Sequence, residues 1–236
     1  MNLENKLVVI TGVSSGIGLA TAKAVLEKGA IVSGWGRRPG PIDHTNFFFT
    51  EVDVRKQEAV ERAHQQTVAQ AGKEVSVLVN NAGLGIQGLL EEQSVEDWHL
   101  MFDTNVHGLF YCSRAVLPAM KLQDEGHIIN IASLAGLAGV EKMSGYCATK
   151  FAVRGMSQSL YKEVREFGVK VTCIYPGSVN TNFFDDFENT TAPENMMQPE
   201  DIASTIIHVL QSPPNYHHVD IEVRPLRPKG KPQNRK

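Results

Sequence analysis

Short β-branched runs alternate with longer helical patterns from the first residues onward: "KLVVITG", "AIVSGWG", "FFFTEVD", "VSVLVNNAG", "HIINIAS", "VKVTCIYPG" and "VDIEV". Strands this short and apolar, separated by stretches long enough for helices, predict an α/β fold: a Rossmann-like, doubly wound parallel sheet of about seven strands with helices on both faces. The expected helices cover residues 16 to 28, 55 to 71, 94 to 121, 146 to 166 and 199 to 211. One connection departs from the rhythm. Between the second and third runs lies only "RRPGPIDHTN", whose two prolines and one glycine oppose a crossover helix, so a loop is expected there.

A chain of 236 residues, 42% hydrophobic and 21% charged, fits one domain over 1–236 with room for a sizeable core. Neither an internal repeat nor a composition shift marks a second domain. The formal net charge of -3 gives no electrostatic reason to expect nucleic acid or an anionic membrane as partner, and no apolar stretch reaches transmembrane length. The basic end, "RPLRPKGKPQNRK", reads as a solvated C-terminal tail over 225–236. Three cysteines, Cys112, Cys147 and Cys173, are odd in number and lie inside apolar segments, which disfavours a disulfide framework and suits a reducing cytoplasm. The first residues carry no signal-peptide pattern. None of the eight histidines sits at metal-ligand spacing with Cys or carboxylates, so no metal is implied. Residues 181–198 mix acids, aromatics and methionines in a weakly periodic stretch, as a loop over a substrate pocket would.

The first strand ends in "TGVSSGIG", followed at once by a helix. Gly12, Gly16 and Gly18 let the backbone turn tightly and approach a pyrophosphate, and Ser14, Ser15 and Ile17 complete the loop. The helix N-terminus offers free N–H groups and the positive end of its dipole. The spacing G-x-x-x-G-x-G is a variant of the usual dinucleotide fingerprint. An acid about 20 residues beyond such a loop normally accepts the ribose 2′-OH of NAD. Here that count reaches "GWGRR", with Arg37 and Arg38 and no carboxylate before Asp43. A guanidinium suits a 2′-phosphate, so NADP(H) is favoured over NAD(H).

In "SGYCATK", Tyr146 and Lys150 stand four residues apart, one helical turn, on a common face. A buried aromatic beside a solvated lysine would satisfy the spacing equally. The alternative is a phenol held near ionisation by a neighbouring ammonium, able to pass a proton near neutral pH. A tyrosine titrates near ~10, and each unit of lowering needs about 1.4 kcal/mol of preferential phenolate stabilisation.

With these motifs in order, the chain resembles the short-chain dehydrogenase/reductase family along nearly its whole length: "TGVSSGIG", Asp53 after the third strand, "NNAG" at 80–83, Asn105 in "TNVHG", Ser133 ending "HIINIAS", "YCATK" and "YPGSVNT" from Tyr175. The resemblance implies that Ser133 orients the substrate oxygen and that Tyr146 exchanges a proton with it. It further implies that Lys150 binds the nicotinamide ribose and lowers the tyrosine pKa, and that Asn105 distorts its helix and holds a water leading from Lys150. Asp53 and Val54 are then expected at the adenine and Asn80, Ala82 and Gly83 around the adenosine ribose. Pro176, Gly177, Val179 and Thr181 are expected at the carboxamide. The short ending and "MMQPEDIA" look loosely like the branch of sepiapterin reductases and 3-hydroxy-acid dehydrogenases. The implied activity is an NADP(H)-dependent oxidoreductase acting on a carbonyl or secondary alcohol, in a homodimer or homotetramer. Two alternatives are an NAD(H)-dependent alcohol dehydrogenase and a binding-only nucleotide sensor. Leu84, Val140, Met143, Phe183 and Phe184 are candidates for a partly apolar substrate pocket.

Overall fold

The computed structural model describes residues 1–184, 187 and 193–228. Residues 185, 186 and 188–192 of the expected substrate loop lie outside the described residues, as do 229–236 of the tail and the side chain of Phe184. Seven strands run parallel in one sheet: β1 (Leu7–Thr11), β2 (Ile31–Gly36), β3 (Phe47–Glu51), β4 (Val75–Asn80), β5 (Gly126–Ile131), β6 (Val169–Pro176) and β7 (Asp220–Val223). Their spatial order is β3-β2-β1-β4-β5-β6-β7. The chain therefore winds outward from β1 in one direction and from β4 in the other, which opens a crevice at the carboxyl ends of these two neighbours.

Every residue of β1, β4 and β5 is buried, as the unbroken apolar runs require of strands covered on both sides. The pleat divides them. Val8 and Ile10 pack with α1 (Gly16–Leu26) and α6 (Pro199–Leu210) on one face. Leu7 and Val9 pack with α2 (Gln57–Ala71) and α4 (Gly108–Leu122) on the other. The entry to α6 combines Pro199 at its first turn with an Asp201 carboxylate that accepts the Gln198 backbone N–H at 2.7 Å. The 37–46 connection contains no helix, in keeping with its prolines.

The single helix expected over 94–121 is three segments: α3 (Val95–Phe102), a π-turn over Asp103–His107, and α4. The cause is Asn105. Its Nδ2 donates to the Leu84 carbonyl at 2.8 Å and to Thr149 Oγ1 at 3.0 Å, while its Oδ1 accepts the Leu84 N–H at 2.9 Å. Satisfying the backbone of the loop that follows β4 from a helix costs that helix one extra residue in the turn. Thr149 lies on α5 (Ser144–Val164), and its hydroxyl donates to the Tyr146 carbonyl at 2.7 Å, so β4, the π-turn and α5 are tied at one point. No helix among the described residues is long and apolar enough to cross a membrane.

Candidate active site

At the crevice floor the ends of β1 and β4 are sewn together. Thr11 Oγ1 accepts the N–H groups of Asn81 and Ala82 at 3.0 and 2.9 Å. Asn81 Nδ2 donates to the carbonyls of Thr11 and Gly12 at 2.9 and 3.0 Å. Gly12 and Gly16 stand at φ +74° and +57°, where a side chain would be strained, and a Cβ on Gly16 would lie 3.0 Å from the Thr181 methyl. No side chain caps α1 at Ser15 and its first turn contains no acid, which leaves its N–H groups for an anion. This backbone cradle fits a pyrophosphate.

The cradle opens into a cleft of ≈ 570 Å³ whose two ends differ in character. Beyond β2 and β3 it is lined by Arg37, Arg38, Asp53, Val54 and Arg55. Arg37 and Arg38 are exposed, and neither pairs with a carboxylate among the described residues. Arg55 grips Asp53 at both oxygens, with Nε at 2.9 and 3.1 Å and Nη2 at 2.6 Å. Those bonds hold the carboxyl below its ordinary range.

The other end gathers Ser133, Tyr146 and Lys150. Ser133 follows β5 and caps a 3-10 turn (Leu134–Gly136), its Oγ accepting the Ala135 N–H at 3.1 Å. Tyr146 enters from the first turn of α5 and lines the cleft together with Ser133. Lys150 Nζ donates to the Ile131 carbonyl at 2.9 Å and lies 5.6 Å from the Tyr146 ring centroid. One acceptor leaves two of its N–H bonds for ligand oxygens such as ribose hydroxyls, so the residues present fit a nicotinamide dinucleotide.

The electrostatics of the polypeptide differ from the expectation drawn from the helix spacing. Burial pushes the Tyr146 phenol above its ordinary value, and the neighbouring Ser133 hydroxyl only partly offsets it. Burial also lowers the Lys150 ammonium to about 8. Lysine depression of the tyrosine pKa is thus not a property of this chain alone, because desolvation outweighs it for both groups.

The lysine shift has a stability consequence. Between the folded value of about 8 and the unfolded value the unfolded chain binds more protons, so stability rises with pH across that window, and the penalty is fully present below it. Lys150→Met is therefore expected to stabilise the protein at pH 7, without added dinucleotide, by on the order of 2 kcal/mol after loss of the Ile131 hydrogen bond. Thermal denaturation at pH 7 and near pH 10.5 checks this: the advantage should shrink at the higher pH, and a pH-independent loss of Tm would contradict it.

Most of the residues expected at the site do line the cleft: Gly12, Ser14, Ser15, Gly16, Ile17, Ala82, Gly83, Pro176, Gly177, Val179 and Thr181 join those already described. Three do not. Asn80 is corrected: its Nδ2 donates inward to Ser113 Oγ at 3.0 Å and Asn130 Oδ1 at 2.9 Å, so it braces the core, and its neighbour Asn81 does the work at the cleft. Gly18 lies beneath the loop against Gly12, and Asn105 supports Leu84 from behind. Of the substrate candidates, Leu84 and Phe183 line the cleft, Met143 is buried beside Tyr146, and Val140 is exposed away from it. Sequence reasoning missed Arg55, Gly85, Leu100 and Thr104, whereas Asn182 falls within the loop expected over 181–198. Only Arg55 carried a signal, a cation two residues after Asp53.

A doubly wound parallel sheet with a glycine cradle at its switch point is a Rossmann-type α/β architecture. The sequence model of the short chain dehydrogenase family matches residues 6–192, and the chain belongs to that family. A 3-ketodihydrosphingosine reductase of Bacteroides thetaiotaomicron is 37% identical over 209 residues, covering 89% of this chain and 76% of that one. Among solved structures, the closed form of serine dehydrogenase complexed with NADP+ is 32% identical at a TM-score of 0.83, covering 92% of this chain and 94% of that one. The 3-ketoacyl-(acyl-carrier-protein) reductase of Brucella melitensis complexed with NADH is 26% identical at a TM-score of 0.87, covering 96% and 99%. The protein is an oxidoreductase of the short-chain dehydrogenase type, acting on CH–OH groups.

Proposed function

We propose that the protein is an NADP(H)-dependent oxidoreductase that interconverts a carbonyl and a secondary alcohol, with Tyr146 as the proton donor or acceptor. The observation that carries this reading is the convergence of Tyr146 on Ser133 with Lys150 buried behind them at the carboxyl end of β5. A bound nicotinamide supplies or takes up the hydride. Ser133 holds the substrate oxygen, and Tyr146 delivers its proton to that oxygen as the carbon is reduced. Burial keeps the phenol protonated, which is the form reduction consumes, while alcohol oxidation needs the phenolate and gains as pH rises. Lys150 directs its unused N–H bonds to the ribose hydroxyls, and Asn105 ties the loop at Leu84 to α5. Four such residues together have no purpose in a binding-only sensor. Turnover of a panel of neutral ketones and aldehydes with NADPH, followed at 340 nm, is the direct test; a panel without any turnover would remove the proposal.

The preference for NADP(H) rests on Arg37 and Arg38, exposed at the end of β2 and without an ion pair to a carboxylate among the described residues. Arg37→Ala should weaken NADPH binding about tenfold, the worth of one charged hydrogen bond, and leave NADH nearly unchanged. Equal losses for the two dinucleotides would show that Arg37 does not meet a 2′-phosphate. The proposal includes residues 181–198 as a substrate loop, since Phe183 packs on Tyr146 with ring centroids 5.2 Å apart. It also includes a homodimer or homotetramer, with Phe110 of α4 and Phe151 of α5, each 43% exposed, as contact residues.

A further inference from the structure

The wall beside Tyr146 is aromatic and aliphatic. Its ring tilts against Phe183 at 48°, and Phe183 in turn meets Phe187 with centroids 5.1 Å apart. Leu84, Ile86 and Met101 belong to the same apolar cluster. Both Tyr146 and Phe183 close over the backbone of Gly85: a Cβ there would lie 2.6 Å from Phe183 Cζ and 3.1 Å from Tyr146 Cδ2.

Charge is distributed differently. Among the described residues lining the cleft, the cations are Arg37, Arg38, Arg55 and Lys150. The first three follow β2 and β3. In the order β3-β2-β1-β4-β5, β2 is three strand spacings from the β5 end that carries Ser133, a separation of about 14 Å. They cannot reach a group next to the reacting carbon. Lys150 is 5% exposed, bonded to Ile131, and Nζ lies 3.6 Å from where a Cβ on Gly83 would stand, on the dinucleotide side of Tyr146. A carboxylate or phosphate one or two carbons from the substrate carbonyl would exchange water for this apolar wall with no cation among the described cleft residues in place to receive it, at a high desolvation cost.

Resting on the oxidoreductase reading above, we infer that the substrate is electrically neutral around its reacting carbon and lays an apolar group, aryl or branched alkyl, against Phe183. Gly85 and Phe183 are its specificity-determining residues. Short oxo acids and their hydroxy-acid counterparts are excluded as good substrates, whereas ketones bearing an aromatic or alkyl arm are accepted.

The test compares ethyl 4-oxo-4-phenylbutanoate with its free acid, a pair stable to decarboxylation that shares the carbonyl and the ring and differs in charge. With NADPH, kcat/KM should favour the ester by about 100-fold in the wild type. In Phe183→Arg that ratio should fall at least about tenfold, a comparison in which the two compounds' intrinsic reactivities cancel. Phe183→Ala should lower kcat/KM for the ester about tenfold and leave the NADPH Kd unchanged, which distinguishes lost ring contact from misfolding. Acid turnover equal to or above that of the ester, lost in Tyr146→Phe, would overturn the substrate class and leave the proposed function intact. Turnover of neither compound, nor of other neutral ketones, would overturn both.

Discussion

Tyr146→Phe is expected to lower kcat for carbonyl reduction by about 10²–10⁴-fold while NADPH still binds with nearly wild-type affinity, because the substitution removes only the proton in transit. The side chain is 7% exposed and its ring packs against Phe183, a contact the variant keeps, so the loss falls on chemistry. Stability should change by no more than about 1 kcal/mol, the net worth of one hydrogen bond. Steady-state kinetics beside a fluorescence titration separates the two effects. A variant within tenfold of wild type would mean that the proton arrives by another path.

A large effect on stability is expected at Gly18, in the first turn of α1. A Cβ there would sit 2.1 Å from the Gly12 carbonyl oxygen and 2.5 Å from Asn81 Nδ2, the atom that ties the end of β1 to the end of β4. Neither neighbour can yield without opening the floor of the cleft. Gly18→Ala should therefore cost about 4 kcal/mol or more, which for a chain of this size lowers Tm by roughly 10 °C. Gly139→Ala is the control, since nothing lies within 4 Å of a Cβ at that position. Calorimetry on the pair checks the claim: equal melting temperatures would show that the loop relaxes around the added methyl.

The two-sided burial of "LVVIT" and "VSVLVN" is written in their composition, which is why strand number, direction and the helix-free 37–46 connection can be anticipated from residues alone. The glycine loop and "YCATK" likewise carry their spacing into space, one as a strand-to-helix turn and the other as a single helical turn. What escapes sequence reasoning depends on one-residue steps and on solvent. Asn80 and Asn81 are adjacent and identical, yet the first points into the core and the second into the cleft, because successive strand side chains face opposite ways and the strand ends between them. The π-turn at Asp103–His107 adds a residue that no periodicity argument can register; only the family resemblance led to an expected distortion at Asn105. The protonation of Tyr146 and Lys150 follows from how much water the fold removes, and spacing contains no record of that.

The measurement that bears most directly on the central claim is a titration of the purified protein with NADPH and NADH, read by nicotinamide emission. Saturable NADPH binding in the micromolar range, at least about tenfold tighter than NADH, is the expected result. Failure of either dinucleotide to saturate the protein up to millimolar concentration would contradict the assignment of the cleft as a dinucleotide site, and the proton chemistry assigned to Tyr146 with it.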